Sequence, residues 1–469
     1  MGAQLWLVTT LLMIFFSSQF VSLLILLAYI VFFQQSIWYS GWDNPVLSIY
    51  EYELANFKFI EIIVTGILVK AALTLPQRIR IPKSQRYFLG SWVFVIAIGI
   101  SVAWIKQKSA YDMFVFSEFR TLLLGMLTYV YLCSFCRDRK EEILDLFLTL
   151  VVIKIVLVFS EYLAQTPLMW QANAENYSGI VRAFFGGDAD VAVTCLAACW
   201  SITKALNSEE KKRNRALYFV AGLLVLVIFM SLRRGGILAI GISVLSILYF
   251  SHNKYTLHVA ALASITAGLI TIDLALSVGF LPDFLYATVD RFLGRGVSAI
   301  SNMGHIQDIK DAWVFIESNW LFGGGAGARI ESLRPTLHGA DATASIFVHQ
   351  NILHTWVKYG VIGVLLYLAH FTSTIKHGWT SLRTNPGATV VIVAVSFLIG
   401  KFVWELFIPP FYQSFRQTFL FFLAVFLIST YSRKSPIQPG SMIAHINEEL
   451  DSENSNSVFL RNATYKSRD

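Results

Sequence analysis

Residues 216–251 read ALYFVAGLLVLVIFMSLRRGGILAIGISVLSILYFS. Two apolar runs, 216–232 and 235–251, meet here with almost no connection between them. A bilayer core of about 30 Å takes about 20 apolar residues as an α-helix, and in lipid the backbone must satisfy its own hydrogen bonds. The stretch therefore reads as two membrane spans joined by the turn Ser231-Leu232-Arg233-Arg234-Gly235-Gly236. Working outward, the same reading places further spans at roughly 5–33, 58–75, 88–105, 118–135, 142–163 and 190–206 on one side, and at roughly 257–278, 350–371, 388–408 and 415–431 on the other. The first is long and interrupted by Ser17-Ser18-Gln19, so two short helices there would raise the total from twelve to thirteen. The expected fold class is all-α: a polytopic integral membrane protein of about 12 transmembrane helices.

Composition agrees. Of 469 residues, 55% are hydrophobic and 14% charged, against about 25% charged in an ordinary soluble domain, and the mean hydropathy is +0.59. These values exclude most soluble classes. The 37 Phe, 19 Tyr and 12 Trp suit two aromatic belts. A net charge of +7 on such a chain reflects loop orientation, and no nucleic-acid partner is expected. Cys133, Cys136, Cys195 and Cys199 sit in apolar runs without a four-ligand zinc pattern and read as small buried hydrophobes. The start Met1-Gly2-Ala3-Gln4 lacks a basic n-region, and Trp6 stands where a myristoylation signal needs Ser or Thr.

Orientation follows from Lys and Arg in the short connections. With the N-terminus inside, the inner connections carry fifteen, among them Arg78, Arg137 and Lys211, and the outer ones five: Lys106, Lys108, Arg182, Arg233 and Arg234. The chain then divides into spans one to nine (1–278), a long outer loop (279–349), spans ten to twelve (350–431) and a polar, disordered inner tail (432–469). Both termini are expected in the cytoplasm. Within the outer loop, Ile306, Ile309, Trp313, Ile316 and Trp320 recur at helical spacing, a stripe that packs on the bundle or lies at the membrane surface. Gly323-Gly324-Gly325-Ala326-Gly327 follows and permits unusual backbone angles, but no Gly-Lys-Ser/Thr follows it to make a phosphate cradle.

Two sets of residues carry chemistry. Arg233 and Arg234 lie on the outer side, against the positive-inside preference. They read either as snorkelling side chains or as an anion site whose guanidinium forks match a membrane-embedded diphosphate, with Gly235 and Gly236 leaving room for a headgroup. His349 opens span ten in His349-Gln350-Asn351-Ile352-Leu353, with Gly360 and Gly363 following 11 and 14 residues later. A histidine there is structural or a general base. His354 lies about 140° further around the helix and is expected outside the site. The D-x-D of Asp188-Ala189-Asp190 is a weak metal motif, and neither metal nor cofactor is expected. Glu61, Lys70, Lys154 and Asp273 fall inside spans, where charges can mark a transport path. A polysaccharide flippase or transporter is therefore an alternative reading.

The tract 295–368 resembles the O-antigen ligase and O-antigen polymerase superfamily. Members carry a pattern like W-x-x-A…E-N-P-L-F-G-x-G-x-G, then H-N-x-Y-L…E-L-G-x-x-G-L-L-L-F. This chain has Glu317-Ser318-Asn319-Trp320-Leu321-Phe322-Gly323-Gly324-Gly325-Ala326-Gly327, then His349-Gln350-Asn351-Ile352-Leu353 and Lys358-Tyr359-Gly360-Val361-Ile362-Gly363. Gln350 replaces the usual Asn or Ser, and Trp320 the Pro. Ser231-Leu232-Arg233-Arg234-Gly235 is similar to the family's S-R-G/S turn. Arg182-Ala183-Phe184-Phe185-Gly186-Gly187-Asp188-Ala189-Asp190 is similar to its R-x-x-G-x-F-x-x-x-N stretch.

The resemblance implies a metal-independent, inverting, GT-C-like glycosyltransferase on the outer side of a bacterial inner membrane. Its donor is an undecaprenyl-diphosphate-linked glycan, and its acceptor a glycan or a lipid A core. It implies His349 as the base and Arg233 or Arg234 as diphosphate ligands, with Arg182 as a further one. The family's second arginine aligns near His305, with Arg291 and Arg295 as alternatives. A polymerase of O-antigen or exopolysaccharide is favoured over an O-antigen ligase, because ligases of this type are often shorter. An oligosaccharyltransferase acting on protein is a third member of the superfamily. Membrane lipids, a flippase and a chain-length regulator are the implied partners.

Overall fold

Gly2–Phe16 (α1) and Gln19–Phe32 (α2) take up the first apolar run. The computed structural model describes residues 2–32, 53–54, 57–74, 81–109, 118–164, 188–207, 210–230, 234–251, 297–336, 339–345, 348, 350–406 and 414–431. The run is a hairpin of two helices. Trp6 Nε1 donates to the Tyr29 hydroxyl at 2.6 Å, whereas continuous helix would hold those residues about 35 Å apart at 1.5 Å per residue. The break falls at Ser17-Ser18. There Lys70 Nζ donates to the carbonyls of Ile14 (2.6 Å), Ser17 (2.7 Å) and Ser18 (3.3 Å) and to Ser22 Oγ (2.9 Å). A lysine read as lying inside a span is thus the cap of a tight turn, satisfying carbonyls that the end of α1 leaves without helical partners. The first apolar run is therefore two short helices, as its polar break allowed.

A short antiparallel hairpin, β1 (Glu53–Leu54) with β2 (Phe57–Lys58), leads into α3 (Phe59–Leu73). Then come α4 (Lys83–Ile105), α5 (Phe119–Phe135), α6 (Lys140–Ala164), α7 (Asp188–Asn207), α8 (Lys211–Met230) and α9 (Arg234–Phe250). The span expected at 257–278 and the tail 432–469 lie outside the described residues. Helix α10 (Val297–Asn319) is followed by strands β3 (Ile330–Thr336) and β4 (Gly339–Ser345), and then by α11 (Asn351–Thr384), α12 (Thr389–Glu405) and α13 (Phe415–Ser429). Lys83–Ile105, Ala189–Asn207 and Asn351–Thr384 are long and apolar enough to cross a membrane by length and composition. The all-α expectation describes the bundle but not the outer loop. There β3 and β4 pair antiparallel from Ile330↔Ser345 to Thr336↔Gly339. Their alanines and Pro335 give no alternating apolar pattern, so the strands were illegible by periodicity.

Helix α13 is buried along its whole length, as its uniformly apolar surface requires, and α12 and α7 pack beside it. Close approach of α12 to α9 depends on Gly400, where a Cβ would come within 2.1 Å of Ser243 Oγ and 2.4 Å of the Ala239 carbonyl. All four cysteines are buried and free.

The buried charges are fastened to helix ends. Lys154 of α6 and Arg416 of α13 both donate to Asp190 in the first turn of α7, Lys154 at 2.7 Å. Lys154 also donates to the Val31 carbonyl (2.8 Å), and Arg416 Nε to that of Ile30 (2.7 Å). These carbonyls lie in the last turn of α2, where cations are favoured, and Asp190 lies where carboxylates are. The starts of α7 and α13 therefore share a face with the end of α2. The Ser17-Ser18 turn lies at the opposite face, where Gln19 donates to Thr74 (2.7 Å) and Arg139 stands over the Phe20 ring.

Candidate functional site

The site grows from a break in α11. Gly360 has φ 67° and ψ −170° inside an otherwise helical run, a conformation open essentially to glycine alone. A Cβ there would lie 2.1 Å from the Leu321 carbonyl oxygen. The break exposes the carbonyls of Val357 and Lys358 to partners outside the helix. Gly324 N–H donates to Val357 (2.7 Å) and Gly325 N–H to Lys358 (3.1 Å), while Ala326 N–H reaches Gly99 of α4 (2.9 Å). In return Val361 N–H and Trp356 Nε1 both donate to the Trp320 carbonyl (2.9 and 2.8 Å). Gly323 and Gly325 have φ of 70° and 80°. A Cβ at Gly325 would meet Ala103 N at 2.6 Å, and one at Gly323 would meet Gly360 N at 2.7 Å. The glycine run is thus a backbone clasp holding the segment after α10 to α4 and α11, and four of its N–H groups are engaged by carbonyls, three of them on α4 and α11.

Helix α10 is held on this clasp. Lys106, the C-cap of α4, bonds Asn319 Oδ1 and the Gly323 carbonyl, and partial burial lowers its ammonium pKa. The stripe read on α10 faces two ways. Ala312 and Ile316 are buried in a cluster with Ala328, Ile330, Val348, Leu353 and Val357, against which Ile309 packs. Ile306, Trp313 and Trp320 remain exposed.

At the mouth of α11 the chain is pinned on both sides of His349. Gln350 is the N-cap, its side-chain oxygen accepting the Leu353 N–H. Its longer side chain does what Ser or Asn usually does there. Asn351 is buried and donates to Glu405 Oε2 at 2.7 Å, an oxygen that also accepts from the Tyr367 hydroxyl (2.6 Å). Lys401 pairs with the other Glu405 oxygen at 2.8 Å. On the other side, Val348 N–H donates to His354 Nδ1 (3.2 Å), and His354 Nε2 lies 3.0 Å from Glu118 Oε1. A backbone donor on Nδ1 leaves that nitrogen with its lone pair, so Nε2 carries the proton and donates to the carboxylate. His354 thus turns back along the start of α11 and bonds Val348, the residue before His349 in sequence.

Among the other site residues read from sequence, His349, Arg233, Arg182, Arg291 and Arg295 lie outside the described residues. Arg234 opens α9, and His305 stands half-buried in α10. The space beside Gly235 is occupied: a Cβ there would lie 2.5 Å from Trp404 Cδ1. That glycine therefore admits an indole, not the headgroup expected there. Of the D-x-D pair, Asp190 is bound by Lys154 and Arg416. Glu61 belongs to the start of α3, pairing with Arg120 at 3.3 Å and accepting Lys58 N–H at 3.0 Å. Asp273 lies outside the described residues. Sequence reading missed Glu118 and Glu405 and placed His354 outside the site, because the Glu118–His354 and Asn351–Glu405 contacts join residues 236 and 54 positions apart.

Residues 219–368 match the family model described as O-antigen ligase. The match covers about a third of the chain, and over that segment the chain is similar to the O-antigen ligase family. It runs from α8 through the Arg233-Arg234 turn, α10, the glycine clasp and the β3–β4 hairpin to the kinked first half of α11. This match, with the apolar helices, supports a membrane protein with a glycan-processing function of O-antigen ligase or polymerase type. A search with the whole chain finds no match among curated proteins. Groups outside the matched segment help to hold it, among them Glu118, Glu405, Lys106 and the Gly99 carbonyl.

Proposed function

We propose that the protein is an inverting glycosyltransferase of the outer face of a bacterial inner membrane, using an undecaprenyl-diphosphate-linked glycan as donor. A polymerase of O-antigen or exopolysaccharide repeats is the favoured form, and an O-antigen ligase acting on a lipid A core the alternative. The observation that carries the reading is the double anchoring of the helix mouth around His349 within the O-antigen ligase segment. Such fixing of one residue's flanks is what a group that must meet a substrate requires.

In the proposed reaction an acceptor hydroxyl attacks the anomeric carbon. The new C–O bond forms as the bond to the diphosphate oxygen breaks, and the electron pair leaves with the diphosphate. His349, neutral, takes the hydroxyl proton. Arg233 or Arg234 stabilises the charge that develops on the departing diphosphate, with Arg182, Arg291, Arg295 or His305 as further contacts. No metal is needed. Residues 279–349 act as the catalytic loop between the two sets of spans.

The transporter alternative drew on charges within spans. Lys70, Lys154 and Glu61 each bind helix ends or neighbouring charges, which weakens that motive. The deciding experiment is incubation of the purified full chain, with EDTA, with an undecaprenyl-diphosphate-linked oligosaccharide. Elongated lipid-linked glycan together with released undecaprenyl diphosphate supports a polymerase, and transfer only to an added lipid A core supports a ligase. No turnover alongside movement of the donor across vesicle membranes would sink the reading.

A further inference from the structure

We propose that His354 is a positioning residue for His349: held by Glu118, its imidazole accepts the Val348 N–H and so fixes the backbone that presents the base. The inference rests on the reading of His349 given above. The geometry has three parts. His354 is fully buried and Glu118 nearly so, so neither reaches a substrate. The proton on Nε2 points to Glu118 at 3.0 Å, which leaves Nδ1 as an acceptor aimed at the chain. That acceptor takes the one backbone N–H immediately before His349, at 3.2 Å, in a segment between the β3–β4 hairpin and the first turn of α11. Val348 is itself buried in the cluster under α10. Its side chain is therefore fixed by packing and its N–H by His354. The carboxylate comes from the start of α5, so the catalytic mouth of α11 is referenced to a helix far away in sequence.

The two ring nitrogens can be tested separately. Asn places its amide oxygen near the position of Nδ1, and Gln near that of Nε2. His354→Asn keeps an acceptor for Val348 and abandons Glu118; His354→Gln does the reverse. If the role is positioning, His354→Gln should lose roughly 10²-fold in kcat with KM for an undecaprenyl-diphosphate-linked oligosaccharide unchanged, and His354→Asn should stay within about tenfold of the parent. A merely structural role gives the opposite order, because Asn is smaller and leaves a buried carboxylate without its donor. Val348→Pro removes the N–H and leaves His354 intact. It should match His354→Gln in kcat, and the double variant should lose nothing more. All variants are compared at equal membrane level with His349→Ala in parallel. Gln equal to or better than Asn, or additive losses in the double variant, overturns the positioning role even with His349→Ala inactive. An active His349→Ala overturns the base assignment instead, and Asn above Gln would then mean that His354 orients a different group of the same segment.

Discussion

His349 carries the sharpest expectation at the scale of single residues. A base must be neutral to accept a proton, so turnover should fall as pH drops below the pKa of the histidine. His349→Ala should lose about 10²–10⁴-fold in rate, the usual share of general-base catalysis, with the folded protein retained. His338, in the same loop without a matching motif, is the control. His354 is unsuited to that use because it bonds Val348. Turnover of the lipid-linked donor by the variants at equal expression decides it; a normal His349→Ala beside an inactive His338→Ala means the motif register is wrong. For Arg233 and Arg234, Lys keeps the charge and loses the fork, so it should rescue only partly. Ala should cost about 2–4 kcal/mol of transition-state stabilisation, as for a lost oxyanion donor. Near-normal kcat/KM in the double Ala variant would leave snorkelling as their role.

The elements explain why glycine recurs in this segment. The Gly323–Gly327 run was legible as permitting unusual backbone angles and Gly360 only as a position at fixed spacing from His349, but their purpose was not, since it lies in one stretch of backbone meeting another. Gly360→Ala combines a disallowed conformation with a clash against the Leu321 carbonyl. The conformation alone should destabilise by roughly 1–3 kcal/mol. Gly222→Ala, with open space around its Cβ, should be neutral or stabilise by up to about 1 kcal/mol. Thermal unfolding of the purified protein in detergent compares them, and equal midpoints would mean that the clasp does not constrain α11. At the same scale the stripe on α10 was read correctly as helical. Its division into a packed and an exposed side was not readable, because alternate apolar residues at 3–4 spacing fit both.

For the whole molecule the hairpin and the loop set the topology. In a cysteine-free background, Ser298→Cys should be labelled from outside by an impermeant thiol reagent and Ser208→Cys should not. Trp6→Cys with Tyr29→Cys should be joined by a bis-maleimide too short to bridge the about 35 Å of a continuous helix. Labelling of Ser208→Cys alone would invert the orientation and move the proposed site to the cytoplasm. Failure to crosslink would restore a single first span.

Composition and hydropathy alone determined that the chain is a helical membrane protein, because lipid leaves an apolar backbone no other way to satisfy its hydrogen bonds. Local motifs determined the family segment, because glycines at special angles and a histidine at a helix mouth are needed at fixed short spacings. Only the tertiary structure decided how those motifs are held. Lys70 caps a turn in another helix pair, Glu405 anchors Asn351, Asp190 joins two cations to the end of α2, and Glu118 orients His354. Each of these joins residues distant along the chain through a charge or hydrogen bond that exists only once the helices have packed. Hydrophobic periodicity, which records burial and not partners, carries no trace of it.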